Sequence, residues 1–183
     1  MHSISRRRSA GVKEEPSLDL SVAIAMEVQG LTETGICMAQ VDEPIFSKGI
    51  VDLSTGREAL QRNASGISIP VCFHACWGLK NVVSEVLSIS VGIVDLEFAK
   101  SPGNLSLPSD TDFKGKMPGY GCVDSSSQGV ESTMTIISGT KEGLEIFAPE
   151  QVQVDPDCGL MMQPSRNYPA WSPQQQSSVK KPP

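Results

Sequence analysis

Apolar and polar residues alternate within the segment from Asn81 to Phe98, which together with the apolar run of residues 67–77 is dense enough to nucleate a core. A period of two is typical of a strand with one buried face. The alternation shifts by one residue at Gly92, as it does at a β-bulge, where an extra residue turns every later side chain to the other face. The first apolar series is Leu87, Ile89, Val91 and Ile93, and the second is Val94, Leu96 and Phe98. The segment predicts one long, bulged, central strand.

Other segments show the same period or are rich in β-branched residues. Residues 18–28 alternate, although a helix would also place Leu18, Val22, Ala25 and Met26 on one face. We interpret this segment as a strand. Further strands are predicted over residues 36–41, 45–53, 67–77, 130–137 and 144–148.

A single short helix is predicted over residues 57–63, where Thr55 and Glu58 form a capping box. Together the elements predict a mainly β protein, either an antiparallel β-sandwich or a small barrel with one short helix. The β-rich domain spans residues 18–154 and contains a flexible loop at 99–130, where Gly, Ser and Pro are frequent. A disordered N-terminal arm (1–17) and a disordered Pro/Gln/Ser tail (155–183) are predicted to flank it.

Composition excludes several classes of function. The net charge is −6 over 183 residues, so the core domain lacks the clustered basic residues that nucleic-acid binding requires. No apolar run is long enough to span a bilayer, and no signal peptide is recognisable. The five cysteines are an odd number, which does not fit a secreted disulfide framework. We therefore expect an acidic, soluble, intracellular protein, cytoplasmic or nuclear rather than secreted, with no membrane partner.

The motif Cys72-Phe-His74-Ala-Cys76 is the sharpest candidate for chemistry. Alternate side chains of a strand share one face, so two thiolates and an imidazole would converge there as zinc ligands do. A structural zinc takes four ligands, however, and no second Cys or His pair lies nearby in sequence. Because cysteine is often buried as a small apolar residue, core packing is expected. Cys72, His74 and Cys76 are thus the candidates for a metal site, but neither a metal nor another cofactor is predicted.

The chain has two histidines, and His2 lies at the N-terminus. Histidine-assisted catalysis would therefore have to use His74. His74 lies in an apolar run, so we expect a hydrogen-bonded core histidine rather than a general base. Asp95 and Glu97 share one strand face and are interpreted as a solvated edge. No catalytic residue is predicted, and the chain is not expected to be an enzyme.

The predicted N-terminal arm carries three short patterns that suit peptide recognition. The sequence RRRS, which ends at Ser9, resembles a basic-directed kinase site, and VKEE around Lys13 resembles a SUMO-attachment pattern. A third pattern is similar to the core of a corepressor-binding motif, although it also fits the start of a strand. It consists of Leu18, Asp19, Leu20 and Ser21.

Three fragments resemble motifs of the dUTPase family, in the order in which that family carries them. They are Gly49 to Ser54, Gly66 to Ile69 and Gly92 to Phe98. Where the family has an Arg-Ser-Gly phosphate-binding turn, this chain has Cys76-Trp77-Gly78. The resemblance implies the trimeric β-barrel of that family, retained for binding without the hydrolase activity.

The sequence thus predicts a non-catalytic interaction or accessory protein built on a β-rich domain. Its expected partners are other proteins or further copies of the same chain. Two alternatives stay open: a degenerate dUTPase-like β-barrel retained for binding, and a transcriptional adaptor that acts through its N-terminal motifs.

Overall fold

The computed structural model describes residues 4–49, 52–107, 113–127 and 129–159. The described α-helices are α1 (Ile4–Thr32), α2 (Leu53–Ala64), α3 (Val83–Ser88) and α4 (Thr133–Leu144). The strands are β1 (Ala39–Glu43), β2 (Val71–Ala75), β3 (Ile93–Glu97), β4 (Met117–Val123) and β5 (Gln153–Pro156). Short 3-10 helices lie at Phe46–Lys48, Pro102–Ser106 and Pro149–Gln151.

The five described strands form one sheet in the order β1-β2-β3-β4-β5, and every neighbouring pair is parallel. The predicted antiparallel β-sandwich or small barrel is therefore wrong. Parallel neighbours need long crossover connections, so helices lie between strands that an antiparallel sheet could join by short turns. A parallel sheet in which neighbouring strands follow one another in chain order is typical of a TIM-barrel-like α/β fold.

The two faces of the sheet differ in polarity. One face packs against α2 and α3 in a common core, to which the strands contribute Phe73, Ala75, Val94, Leu96 and Tyr120. The other face is polar, and the register aligns Asp42 with His74, His74 with Asp95, and Asp95 with Gly119. His74 and Asp95 are nonetheless almost fully buried, so this polar face lies inside the protein.

The predicted strand at residues 18–28 is part of α1. Ser21 and Val28 are buried and Ile24 is half-buried, which is the spacing of one helix face. This face packs against α2. The apolar residues fitted both the period of a strand and the period of a helix. The helix forms because its apolar face packs against α2.

The long strand predicted from Asn81 to Phe98 is instead two elements, α3 and then β3. Gly92 precedes β3 and is not a bulge within a strand. The parity after Gly92 is confirmed, because Val94, Leu96 and Phe98 all lie in the core. Asp95 and Glu97 do share the opposite face, but both are buried, so their interpretation as a solvated edge is wrong.

The segment 130–148 contains α4 rather than a hairpin. Ser132 caps this helix by accepting a hydrogen bond from the backbone N–H of Thr135, which satisfies one free donor of the first turn. The predicted loop at 99–130 contains β4. Its Gly119 and Gly121 resemble loop residues in sequence, but both strand positions leave no room for a Cβ atom.

The predicted short helix is confirmed as α2, which is longer and capped by Asp52 rather than Thr55. The fragments that resemble dUTPase motifs include this helix cap and a parallel strand, so they do not build the barrel of that family. Helix α1 runs across the proposed boundary at residue 17 and β5 across that at 154; the division into domain, arm and tail stays a prediction. Within the described ranges, no helix combines the length and apolar character that crossing a bilayer requires.

Candidate metal centre

Four side chains that can bind a metal meet at the carboxyl end of the parallel sheet. His74 lies in β2, and Cys76 is the first residue after that strand. Glu97 is the last residue of β3, and Cys158 lies two residues after the end of β5. One ligand atom from each of the four lies within 4.8 Å of the others. This end of a parallel α/β sheet is where the functional sites of barrel enzymes lie.

The distances within this cluster fit zinc. Two thiolates on one tetrahedral zinc, each about 2.3 Å from it, lie roughly 3.8 Å apart, and the Sγ atoms of Cys76 and Cys158 are 3.8 Å apart. The same geometry places an imidazole nitrogen about 3.5 Å from a thiolate, and Nε2 of His74 is 3.3 Å from Sγ of Cys76. Two sulfur donors, one nitrogen and one carboxylate oxygen are ligands that zinc accepts together.

Asp95 orients the imidazole of His74. Its Oδ2 lies 2.8 Å from Nδ1 of His74, which leaves Nε2 directed at Cys76. Burial acts to lower the pKa of His74, but the hydrogen bond and charge of Asp95, together with smaller contributions from Cys158, raise the pKa to about 9. Metal-binding histidines are typically held by a carboxylate in this way.

Burial dominates the acid–base chemistry of the Cys76 thiol. It raises the pKa of Cys76 to about 12, with a further contribution from the neighbouring Cys158. A buried thiol of this kind stays protonated unless a cation compensates its charge. A bound metal would supply that compensation, since a coordinating thiol loses its proton.

Asp157 ties the end of β5 to the end of β3. Its buried carboxylate accepts hydrogen bonds from the backbone N–H groups of Phe98, Ala99 and Lys100, at 3.0, 3.1 and 2.6 Å. Burial raises the pKa of Asp157 to about 6 in spite of these bonds. Because Cys158 is the next residue, this anchor fixes the position of Cys158 relative to Glu97.

The structure brings together two of the three residues singled out from the sequence. His74 and Cys76 belong to the cluster, whereas Cys72, which is fully buried, lies one strand repeat further from the carboxyl end and is not among its ligands. Sequence reasoning missed Glu97 and Cys158. The sequence did contain a signal for Glu97, because the alternation places it on the same strand face as Asp95. Cys158 had none, since it lies 82 residues from Cys76.

The residues of the N-terminal patterns lie on helix α1. The backbones of Ser9 and Lys13 are helical, and their side chains lie outside the described part of the structure. The pattern from Leu18 to Ser21 is also helical, and the Ser21 hydroxyl donates to the carbonyl of Leu18 at 2.6 Å. The recognition roles of these residues stay predictions.

Comparison with known proteins identifies relatives. The family model "Cobalamin-independent synthase, Catalytic domain" matches residues 1–170. Methionine synthases of Methanothermobacter marburgensis and Methanocaldococcus jannaschii are 36% and 32% identical, over 83% and 80% of this chain and 49% of each relative. The B12-independent methionine synthase of Shewanella sp. W3-18-1, solved with selenomethionine, has a TM-score of 0.71 at 19% identity, over 84% of this chain and 50% of the other. The chain spans about half the length of the curated relatives it matches.

These matches contradict the predicted function. A match to a family of catalytic domains over residues 1–170 overturns the non-catalytic accessory protein, and with it the dUTPase-like and adaptor alternatives. The prediction failed because the cluster depends on residues far apart in sequence, so only His74 and Cys76 were visible as a pair. Neither a β-sandwich nor an accessory protein describes this chain.

Proposed function

Because this chain belongs to the family of cobalamin-independent synthase catalytic domains, we propose that it takes part in transferring a methyl group to the sulfur of a thiol substrate. The reaction would take place at a zinc ion held by His74, Cys76, Glu97 and Cys158. The observation that carries the proposal is the convergence of these four ligand atoms within 4.8 Å.

The substrate class follows from the name of the relatives. Methionine is a thioether, and removal of its S-methyl group leaves the thiol homocysteine. A methyl transfer to homocysteine forms a sulfur–carbon bond while the bond between the methyl group and its donor breaks. The thiol loses its proton, and the donor leaves with the electron pair of the broken bond. Since the chain spans about half of each relative, its activity, both substrates and its cytoplasmic location all belong to the proposal. The family match gives no support to a nuclear location.

Thiol activation is the chemistry that zinc would supply when bound. A thiol that adds as a fifth ligand, or displaces one of the four, would have its pKa lowered, which favours the nucleophilic thiolate. The residues of the chain prepare this site. Asp95 engages Nδ1 of His74, so Nε2 is the nitrogen that faces the cluster, and a bound metal would take the place of the proton on Nε2. Glu97 accepts a hydrogen bond of 3.3 Å from the Ser101 hydroxyl, which restricts its carboxylate. Burial of Cys76 and Glu97 keeps competing water away from the ligands.

The test is metal content followed by a response to thiol. The purified full chain should contain about one zinc ion, as a site of four protein ligands would bind. Cys158→Ser should lose it, while Cys37→Ser, which changes an exposed cysteine, should keep it. In the cobalt-substituted protein, homocysteine should change the sulfur-to-metal absorption, and added methyl iodide should yield methionine faster than with Cys158→Ser.

A wild-type chain purified without zinc, and unable to take it up, would contradict the proposed site. Zinc binding with no spectral response to homocysteine would instead contradict the thiol substrate while leaving the metal site intact.

A further inference from the structure

Asn104 lies in the 3-10 helix that follows β3 and is almost completely buried, with 1% of its surface exposed. Its side chain makes three hydrogen bonds. The Nδ2 group donates to the carbonyl of Glu97 at 2.7 Å and to that of Trp77 at 3.1 Å, and Oδ1 accepts from the N–H of Leu79 at 3.0 Å. One amide therefore joins the carboxyl ends of β2 and β3.

The two carbonyls that Asn104 contacts belong to the ligand segments of the metal centre. Glu97 is itself one of the four clustered residues, and Trp77 directly follows Cys76. Trp77 has a φ of 65°, in the left-handed region that residues other than glycine rarely adopt. Such a conformation persists only where the surroundings hold it. The bonds to Trp77 and Leu79 are part of what holds this turn.

We propose that Asn104 is a positioning residue, which sets the separation between Cys76 and Glu97 by holding the backbone immediately behind each of them. This inference rests on the proposed zinc site. Among the described residues, the hydrogen bonds of the Asn104 side chain go to backbone groups and to none of the four ligand side chains, so its role would be indirect. Metal sites lose affinity when residues that orient their ligands are removed.

A buried asparagine can also matter for stability alone, and Asn63 provides the matched control. Asn63 is 4% exposed and lies on α2. With the amide nitrogen assigned to the side that faces acceptors, it donates to the carbonyls of Ser21 at 2.7 Å and Ala59 at 3.3 Å. It thus resembles Asn104 in burial and in bonding to two carbonyls, but it joins α1 to α2 instead of the ligand segments.

The experiment compares zinc affinity and the cobalt spectrum of the full-length wild type, Asn104→Ala, Asn104→Asp and Asn63→Ala. We expect both Asn104 variants to bind zinc about tenfold to a hundredfold more weakly and to show shifted cobalt ligand-field bands. Asn104→Asp keeps the size of the side chain but places an oxygen against both carbonyls, so it should be at least as damaging as Asn104→Ala. Asn63→Ala should lower the unfolding midpoint without changing affinity or spectrum.

Each other result has a defined meaning. If the wild type binds zinc and the Asn104 variants match it in affinity and spectrum, the positioning role is wrong while the zinc site stands. If the wild type binds no zinc, the proposed function fails first. If both Asn104 variants fail to fold whereas Asn63→Ala folds, Asn104 is a determinant of the fold and the positioning role is overturned.

Discussion

His74 and Asp95 form a buried pair in which Nδ1 of the imidazole lies 2.8 Å from Oδ2 of the carboxylate. They occupy opposite positions on neighbouring parallel strands, so the register of the sheet itself creates the contact. Among the described residues, the second oxygen of Asp95, Oδ1, has no hydrogen-bond partner. The pair commits one nitrogen of His74 to Asp95 and leaves the other for the cluster.

We expect Asp95→Asn to weaken zinc binding by about tenfold to a hundredfold, because an amide cannot supply the negative charge that strengthens the imidazole as a ligand. Competition with a chromophoric chelator measures this affinity. Asp19→Asn, which removes an exposed carboxylate on α1, should leave it unchanged. Equal affinities for Asp95→Asn and the wild type would show that the pair does not serve the metal.

Zinc removal should lower the thermal unfolding midpoint. A ligand that binds only the folded state, present at about 100 times its Kd, adds roughly 2.7 kcal/mol of stability. For a chain of this size that corresponds to a shift of roughly 5–10 °C. Calorimetry before and after treatment with a chelator measures the shift, and returning zinc should restore it. Cys158→Ser should show the lower midpoint with and without chelator.

Gly119→Ala should damage both the fold and the centre. A Cβ atom at Gly119 would lie 2.7 Å from Oδ1 and 2.8 Å from the Cα atom of Asp95, so β3 and β4 would have to move apart. Overpacking of this kind costs roughly 1–3 kcal/mol, and displacement of Asp95 should weaken zinc binding as well. Denaturant unfolding and metal titration measure the two effects.

Gly92→Ala is the control for that variant, since the new methyl group would meet no described atom within 4 Å. Its free energy of unfolding should stay within about 0.5 kcal/mol of the wild type. Comparable losses in Gly119→Ala and Gly92→Ala would mean that contact with Asp95 is not the cause.

Two glycines of α4 should respond in opposite directions to alanine. At Gly143 the new Cβ would lie 2.7 Å from the ring of Tyr120, whereas at Gly139 it would meet no described atom within 4 Å. Gly143→Ala should therefore lower the free energy of unfolding by roughly 1–3 kcal/mol. Gly139→Ala should raise it by up to about 1 kcal/mol, because alanine is the better helix former. Urea denaturation of both variants tests the packing of α4 on β4.

The sequence by itself determined which side chains share a face. Asp95 and Glu97 share one face of β3, and Cys76 directly after β2 continues the alternation that includes His74, as the period of two along a strand requires. The alternation after Gly92 correctly separated Val94 and Leu96, which lie in the core, from these polar positions. Local rules suffice for such statements because they concern neighbours within one element.

Only the tertiary structure decided which elements are strands and which strands are neighbours. Residues 18–28 fitted either period, and they are helical because their buried face packs against α2. Residues 133–137 belong to α4, which lies in the crossover between the parallel strands β4 and β5. The same topology places Cys158 beside Cys76 across 82 residues and aligns Asp95 with His74. No local pattern encodes these pairs, since contacts between distant segments depend on the packing energy of the whole chain. The metal centre is therefore a property of the folded sheet, of which the sequence revealed His74 and Cys76.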